Sequence, residues 1–169
     1  MINVCSAAAN KILKRLSDEK DLLLSTESQG TTYTVYLSED KEDAIIPEYN
    51  FMDTQAKLEK IENKILIVKH AINKFNTETE VLPGITIDMA LVKMAMLNKR
   101  LSTLNRFRKI QKVANGSGML RGEAYRTYAN FDHDEINAKY EAMSKELNDL
   151  QLALDRANMV NSFNIDIDE

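Results

Sequence analysis

Leu58-Glu-Lys-Ile61-Glu-Asn-Lys-Ile65-Leu-Ile-Val68-Lys-His-Ala-Ile72-Asn-Lys-Phe75 is the stretch that decides the fold. Its apolar side chains recur at Leu58, Ile61, Ile65, Val68, Ile72 and Phe75. Intervals of three and four keep one stripe of an α-helix turned toward a neighbour. Leu66 and Ile67 widen the stripe, so this helix, expected over 54–77, meets more than one neighbour. Asp53 or Thr54 is its expected cap.

The same spacing returns near the other end of the chain, in Ile136, Tyr140, Met143, Leu147, Leu150 and Leu154. There Asp132 and Glu135 have the form of a capping box, and the helix is expected over 133–159. At the N-terminus Cys5, Ala9, Ile12, Leu16 and Leu23 share a face, which predicts a helix over 1–25 that ends in the polar run before Gly30. Thr86 caps a further helix expected over 86–114. Its first part, Met89 to Leu97, is apolar almost all round and predicts burial on several sides. Asn115-Gly-Ser-Gly118 reads as a turn. Two segments rich in β-branched and aromatic residues, 31–38 and 123–131, read as strands that pair with each other or across subunits. An acidic loop spans Glu39 to Asp43, and an acidic tail follows over 160–169, in which Asn164 to Glu169 are expected to fray. The fold class is mainly α: a single domain of long antiparallel heptad-patterned helices, like a helical bundle or coiled coil, with a short two-stranded β-ribbon.

Composition agrees. The 169 residues include only 5 Gly and 2 Pro, which leaves long stretches free to be helical. The lone Cys5 forms no disulfide within the chain, which suits a reducing, cytoplasmic compartment. No secretory leader and no apolar run of membrane-spanning length is read, so no membrane partner is expected.

Neither His70 nor His133 has a cysteine or carboxylate at zinc-ligand spacing, and no phosphate-loop or nucleophile-elbow motif occurs. The expectation is therefore no enzyme, no cofactor and no metal. Charge is more informative. Between Asp88 and Glu123 there is no acidic residue, yet Lys93, Lys99, Arg100, Arg106, Arg108, Lys109, Lys112 and Arg121 fall there. This block carries +8 in a chain of net charge −4, which leaves −12 for the rest. Three readings stand: pairing with acidic faces of neighbouring helices or subunits, an anionic small-molecule site, or nucleic acid. The last is disfavoured, since the acidic remainder repels a long polyanion and no nucleic-acid motif is present.

For the small-molecule reading, Arg100, Arg106, Arg108, Lys109, Arg121 and Arg126 would hold negative charge, arginine being suited to bidentate phosphate contacts. Asn73, Asn76, Tyr125, Tyr128 and Asn130 would orient a planar group by hydrogen bonding and stacking. Asparagine near a helix end also serves simply as a cap. The apolar seams predict a homo-oligomer. A structural or adaptor coiled coil that binds only proteins is the alternative.

Lys69-His-Ala-Ile-Asn73-Lys-Phe-Asn-Thr77, Thr86-Ile-Asp-Met-Ala-Leu91 and Tyr128-Ala-Asn-Phe-Asp132 resemble the septicolysin-like family of small bacterial and phage helical proteins. The resemblance runs from about Tyr49 to Phe163. It implies an oligomeric fold rich in helical hairpins, and it carries over no enzymatic activity. Phage-borne members suggest sequestration of a host's nucleotide immune signal as a role for an anion-binding relative.

Overall fold

The computed structural model describes residues 1–38, 40, 42 and 44–167, the side chains of 117 and 119 excepted. In chain order come β1 (Ile2–Cys5), α1 (Ser6–Gly30), α2 (Phe51–Glu78), β2 (Glu80–Leu82), β3 (Ile85–Thr86), α3 (Ile87–Arg108), β4 (Val113–Leu120), β5 (Glu123–Tyr128), α4 (His133–Val160) and β6 (Ser162–Ile165). The fold is mainly helical. Among the described residues strands pair only in twos, β1 with β6, β2 with β3 and β4 with β5, all antiparallel. The chain divides into two compact units, Met1–Asn76 with Asn158–Glu169, and Thr77–Ala157.

In the first unit α1 and α2 run antiparallel. Lys20 meets Glu62 at 2.6 Å, and Gln55 donates to Glu27 Oε1 at 2.6 Å. Ala9 and Leu16 of α1 pack with Ile61 and Val68 of α2 in one cluster, joined by Ile165 and Ile167. The seam read in α2 points inward throughout, with Leu58, Ile61, Val68 and Phe75 buried and Ile65 and Ile72 half-buried. Phe75 stacks on Phe163 with ring centroids 4.5 Å apart.

In the second unit α3 and α4 run antiparallel. Ala90, Leu97 and Leu101 pack against Met143 and Leu150, flanked by Met94, Leu104, Tyr140 and Leu147. Thr86 caps α3 as expected, its Oγ1 accepting from the Met89 amide at 3.3 Å. Lys93 pairs with Glu146 at 2.6 Å, and the exposed pair adds about 0–1 kcal/mol.

Several elements depart from the sequence reading. Ile2–Cys5 is a strand, not the start of a helix, because it finds a ladder in Ser162–Ile165 that buries Ile165 completely. Residues 162–167 are therefore held rather than frayed. Asn50, not Asp53 or Thr54, caps α2, its Oδ1 accepting from the Asp53 amide at 3.1 Å. At α4 the Asp132 carboxylate accepts from the Asp134 amide at 2.7 Å, one position earlier than a capping box requires. Thr31–Ser38 is not a strand. Its expected partner, β5, pairs with β4 across a two-residue turn, and so local a closure costs far less chain entropy than one across the 84 residues between Ser38 and Glu123. Correspondingly α3 stops at Arg108, and 113–114, expected as helix, belong to β4. Within β4 the expected Asn115–Gly118 turn is a bulge opposite Tyr125, and the actual turn is Arg121-Gly122, with φ of 56° and 82°. Of the acidic loop, positions 39, 41 and 43 lie outside the described residues, as do 168 and 169 of the tail.

The apolar start of α3 also differs from expectation. Ala90 and Leu97 are buried, but Met89, Leu91, Val92 and Met96 are between 45% and 64% exposed.

Candidate functional site

The basic block occupies the second half of α3 and continues into the β4–β5 ribbon. Helix α3 ends because Lys109 and Ile110 turn their amides back onto Arg106 and Phe107, at 3.2 Å and 3.0 Å, in a tightened last turn. Arg106 and Arg108 lie in that turn, where cations offset the helix dipole. Just beyond, His133 Nε2 lies 2.8 Å from the Ile110 carbonyl, a contact in which that nitrogen carries the proton. Phe131 stands between Phe107 and His133, with centroids 5.7 Å and 5.0 Å away.

Of the eight cations in the block, Lys93 alone forms an ion pair among the described residues. Arg108 is engaged differently. Its Nε donates to Asn137 Oδ1 at 2.8 Å, and its guanidinium lies 4.3 Å over the Tyr140 ring. Arg108 thus holds α3 against α4, and it is not among the groups open to a ligand. Arg100, Arg106 and Lys109 are exposed.

Lys99, Arg100, Thr103, Leu104 and Phe107 line a shallow depression of about 300 Å³ on α3. The spacing of Lys99, Thr103 and Phe107, each four residues from the last, stacks them along one row of the helix. Arg106 falls seven residues after Lys99 and so returns to the same side. The cations supply charge and Phe107 an aromatic wall, while the Thr103 hydroxyl donates to the Lys99 carbonyl at 3.3 Å.

On the ribbon, period-two alternation separates the expected residues. Tyr125 shares a face with Thr127, whereas Arg126 and Tyr128 share the other. Arg126 pairs with Asn115 and Tyr128 with Val113. The Tyr125 ring covers Gly116, where a Cβ would sit 2.5 Å from it, so a larger residue there would have to displace the ring. Tyr125 and Tyr128 therefore cannot clasp one planar group between them. Arg121 sits at the tip. Seven residues of β4 separate it from the ribbon base, roughly 20 Å, too far for both ends to hold one small molecule. Asn130 is exposed just after β5, while Asn73 and Asn76 belong to α2 in the first unit.

Arg106 thus shares a side of α3 with Lys99, Arg100 lies about 120° round the helix from Arg106, Lys109 is the C-cap, and Arg126 sits beside Tyr128 on the ribbon. The reading of the sequence passed over Lys99 and Phe107 as ligand groups, although the four-residue spacing that joins them through Thr103 is legible there. Among the described residues no group of three or more His, Cys, Asp or Glu side chains is placed to hold a metal ion. No helix among them is long and apolar enough to cross a membrane.

A family model described as a family of unknown function (DUF6847) matches residues 33–163. Comparison with curated proteins finds no match. Among solved structures, the chain is similar to a functionally unknown conserved protein from Corynebacterium diphtheriae. The two are 19% identical with a TM-score of 0.64, and the match covers 96% of this chain and 100% of the other. A likeness of that kind shows a shared fold.

Proposed function

From a chain that belongs to the DUF6847 family, whose function is unknown, we propose a non-catalytic, homo-oligomeric binding protein that holds an anionic, nucleotide-like small molecule. One observation carries this reading. The cations of α3 around the Phe107 depression have no carboxylate partner among the described residues, although the chain is acidic overall. Uncompensated cations beside an aromatic ring suit a phosphate joined to a flat base. Arg100 holds the phosphate, Lys99, Arg106 and Lys109 add attraction, and Phe107 stacks. Arg126 and Tyr128 form a separate, weaker patch. Sequestration of a signalling nucleotide fits a site built to hold charge.

Titration calorimetry against a panel of mono- and cyclic nucleotides tests the reading. Binding is expected to weaken as salt rises, since exposed charges are screened over about 8 Å at physiological ionic strength. No heat with any member overturns it.

A second reading, a structural or adaptor protein that binds only proteins, is favoured by Met89, Val92 and Met96. These lie exposed at helical spacing on the side of α3 that leads to Lys99. In the oligomer we propose, that apolar stretch is the contact surface and the basic end stays open.

A further inference from the structure

A second concavity lies in the first unit, between α1 and α2, with a volume of about 600 Å³. Leu16, Leu22 and Leu23 of α1 and Ile61 of α2 form an apolar lining, and Lys57, Lys60 and Lys64 follow along its α2 edge. Three and four residues separate these lysines, so they stand in one row above the lining. Glu19 and Asn63 complete the rim. Lys57 is held by Asp53 at 2.6 Å, but Lys60 has no ion-pair or hydrogen-bond partner among the described residues.

We propose that this groove binds a single-chain amphiphilic anion, a medium- or long-chain carboxylate. The lining takes the hydrocarbon and Lys60 takes the carboxylate, with Lys57 and Lys64 adding attraction. Charge complementarity selects an anion, because Lys60 stands at the rim without a partner among the described residues. Size selects a small molecule over a docked helix. The α2 wall runs from Lys57 to Lys64, about 10 Å of helix, whereas a helix is itself about 10–12 Å across and needs a longer seam. The volume also falls among small-molecule sites, which span about 300–1,000 Å³, apolar inside with a few polar groups at the mouth. Lysine stems extend the apolar wall while their ammonium groups stay in water.

The site is independent of the α3 depression. The test is calorimetry of the full chain with dodecanoate, kept below its micelle concentration, beside dodecanol as the uncharged control. Dodecanoate is expected to bind saturably and at least ten-fold more tightly than dodecanol. Lys60→Glu should weaken it at least ten-fold. Leu22→Asp, at a side chain already 67% exposed, should abolish it without unfolding the chain. Equal binding of acid and alcohol, no saturable binding, or binding untouched by both substitutions would overturn the proposal. So would release of a second copy by dodecanoate in light scattering, since that outcome makes the groove an interface. Nucleotide heats should be the same in Lys60→Glu and the parent chain, which keeps failure here distinct from failure at α3.

Discussion

Helix α3 presents two faces that share one periodicity and differ in what they meet. Inward, Ala90, Leu97 and Leu101 pack on α4 and are buried. Outward, Met89, Val92, Met96, Lys99, Thr103 and Arg106 repeat at three and four residues just as regularly, yet Met89, Val92 and Met96 are more than half exposed. The outward row is apolar for its first half and basic for its second. A heptad pattern therefore marks a face that meets something, but does not say whether that is the same chain, another copy or a ligand. Burial separates the first case from the rest.

The sharpest contrast lies between adjacent residues. Leu97 is 6% exposed and Met96 64%. Leu97→Asp leaves a buried charge unpaired and should cost about 3–5 kcal/mol. Met96→Asp should stay within about 0.5 kcal/mol in the isolated chain. Urea denaturation of both variants checks this, and equal losses would erase the distinction between the faces.

A second contrast divides the arginines. Arg108→Ala removes the bond to Asn137 and the stacking on Tyr140, and should cost about 1–2 kcal/mol with little change in nucleotide affinity. Arg100→Glu combined with Arg106→Glu should do the reverse. Binding should fall at least a hundred-fold while stability moves by less than about 1 kcal/mol. Parallel melts and calorimetry decide which arginines are structural.

Smaller in stability, but clear in mass, is the effect of Val92→Lys with Met96→Lys. These exposed substitutions should shift the melting temperature by only a few degrees, by order of magnitude, while light scattering at micromolar concentration falls to one chain. An unchanged oligomeric mass would move the contact surface elsewhere.

The mildest expected effect belongs to the end of α1. Tyr49 lies over Gly30, its hydroxyl donates to Glu27 at 2.9 Å, and desolvation, that bond and the carboxylate's charge together raise its pKa. The folded chain thus keeps this proton at a pH where the unfolded chain has begun to lose it. Stability from this contact is fully present below the ordinary tyrosine pKa of about 10 and is lost as pH rises through the raised value. Tyr49→Phe should flatten that alkaline loss in melts taken across the range, and an unaltered slope would contradict it.

The two kinds of pattern were not equally legible. The rows Leu58 to Phe75 and Ile136 to Leu154 point inward because a three-four repeat over several turns has one solution within a helix. Strand propensity gave poorer guidance. Thr31–Ser38 is richer in β-branched and aromatic residues than β5, but a strand exists only where a ladder partner stands, and β4 stands two residues from β5. The Gly116–Gly118 stretch misled for a related reason: Gly116 makes room for the Tyr125 ring, and the stretch forms a bulge rather than a reversal. Ile2–Cys5 and Ser162–Ile165 pair across the whole chain, and nothing local announces it. At the candidate site the run of basic residues was visible at once. Which of them are engaged was not, because Arg108 is distinguished only by where Asn137 and Tyr140 lie.

The account turns on whether the basic half of α3 holds a ligand or a neighbouring subunit. Calorimetry with the nucleotide panel and light scattering, run side by side on the parent chain and the Arg100→Glu, Arg106→Glu variant, ask this directly. The prediction is that the parent gives heat with at least one nucleotide, and that the variant loses the heat and keeps the oligomeric mass. A parent that gives no heat, with a variant that falls apart into single chains, would contradict it.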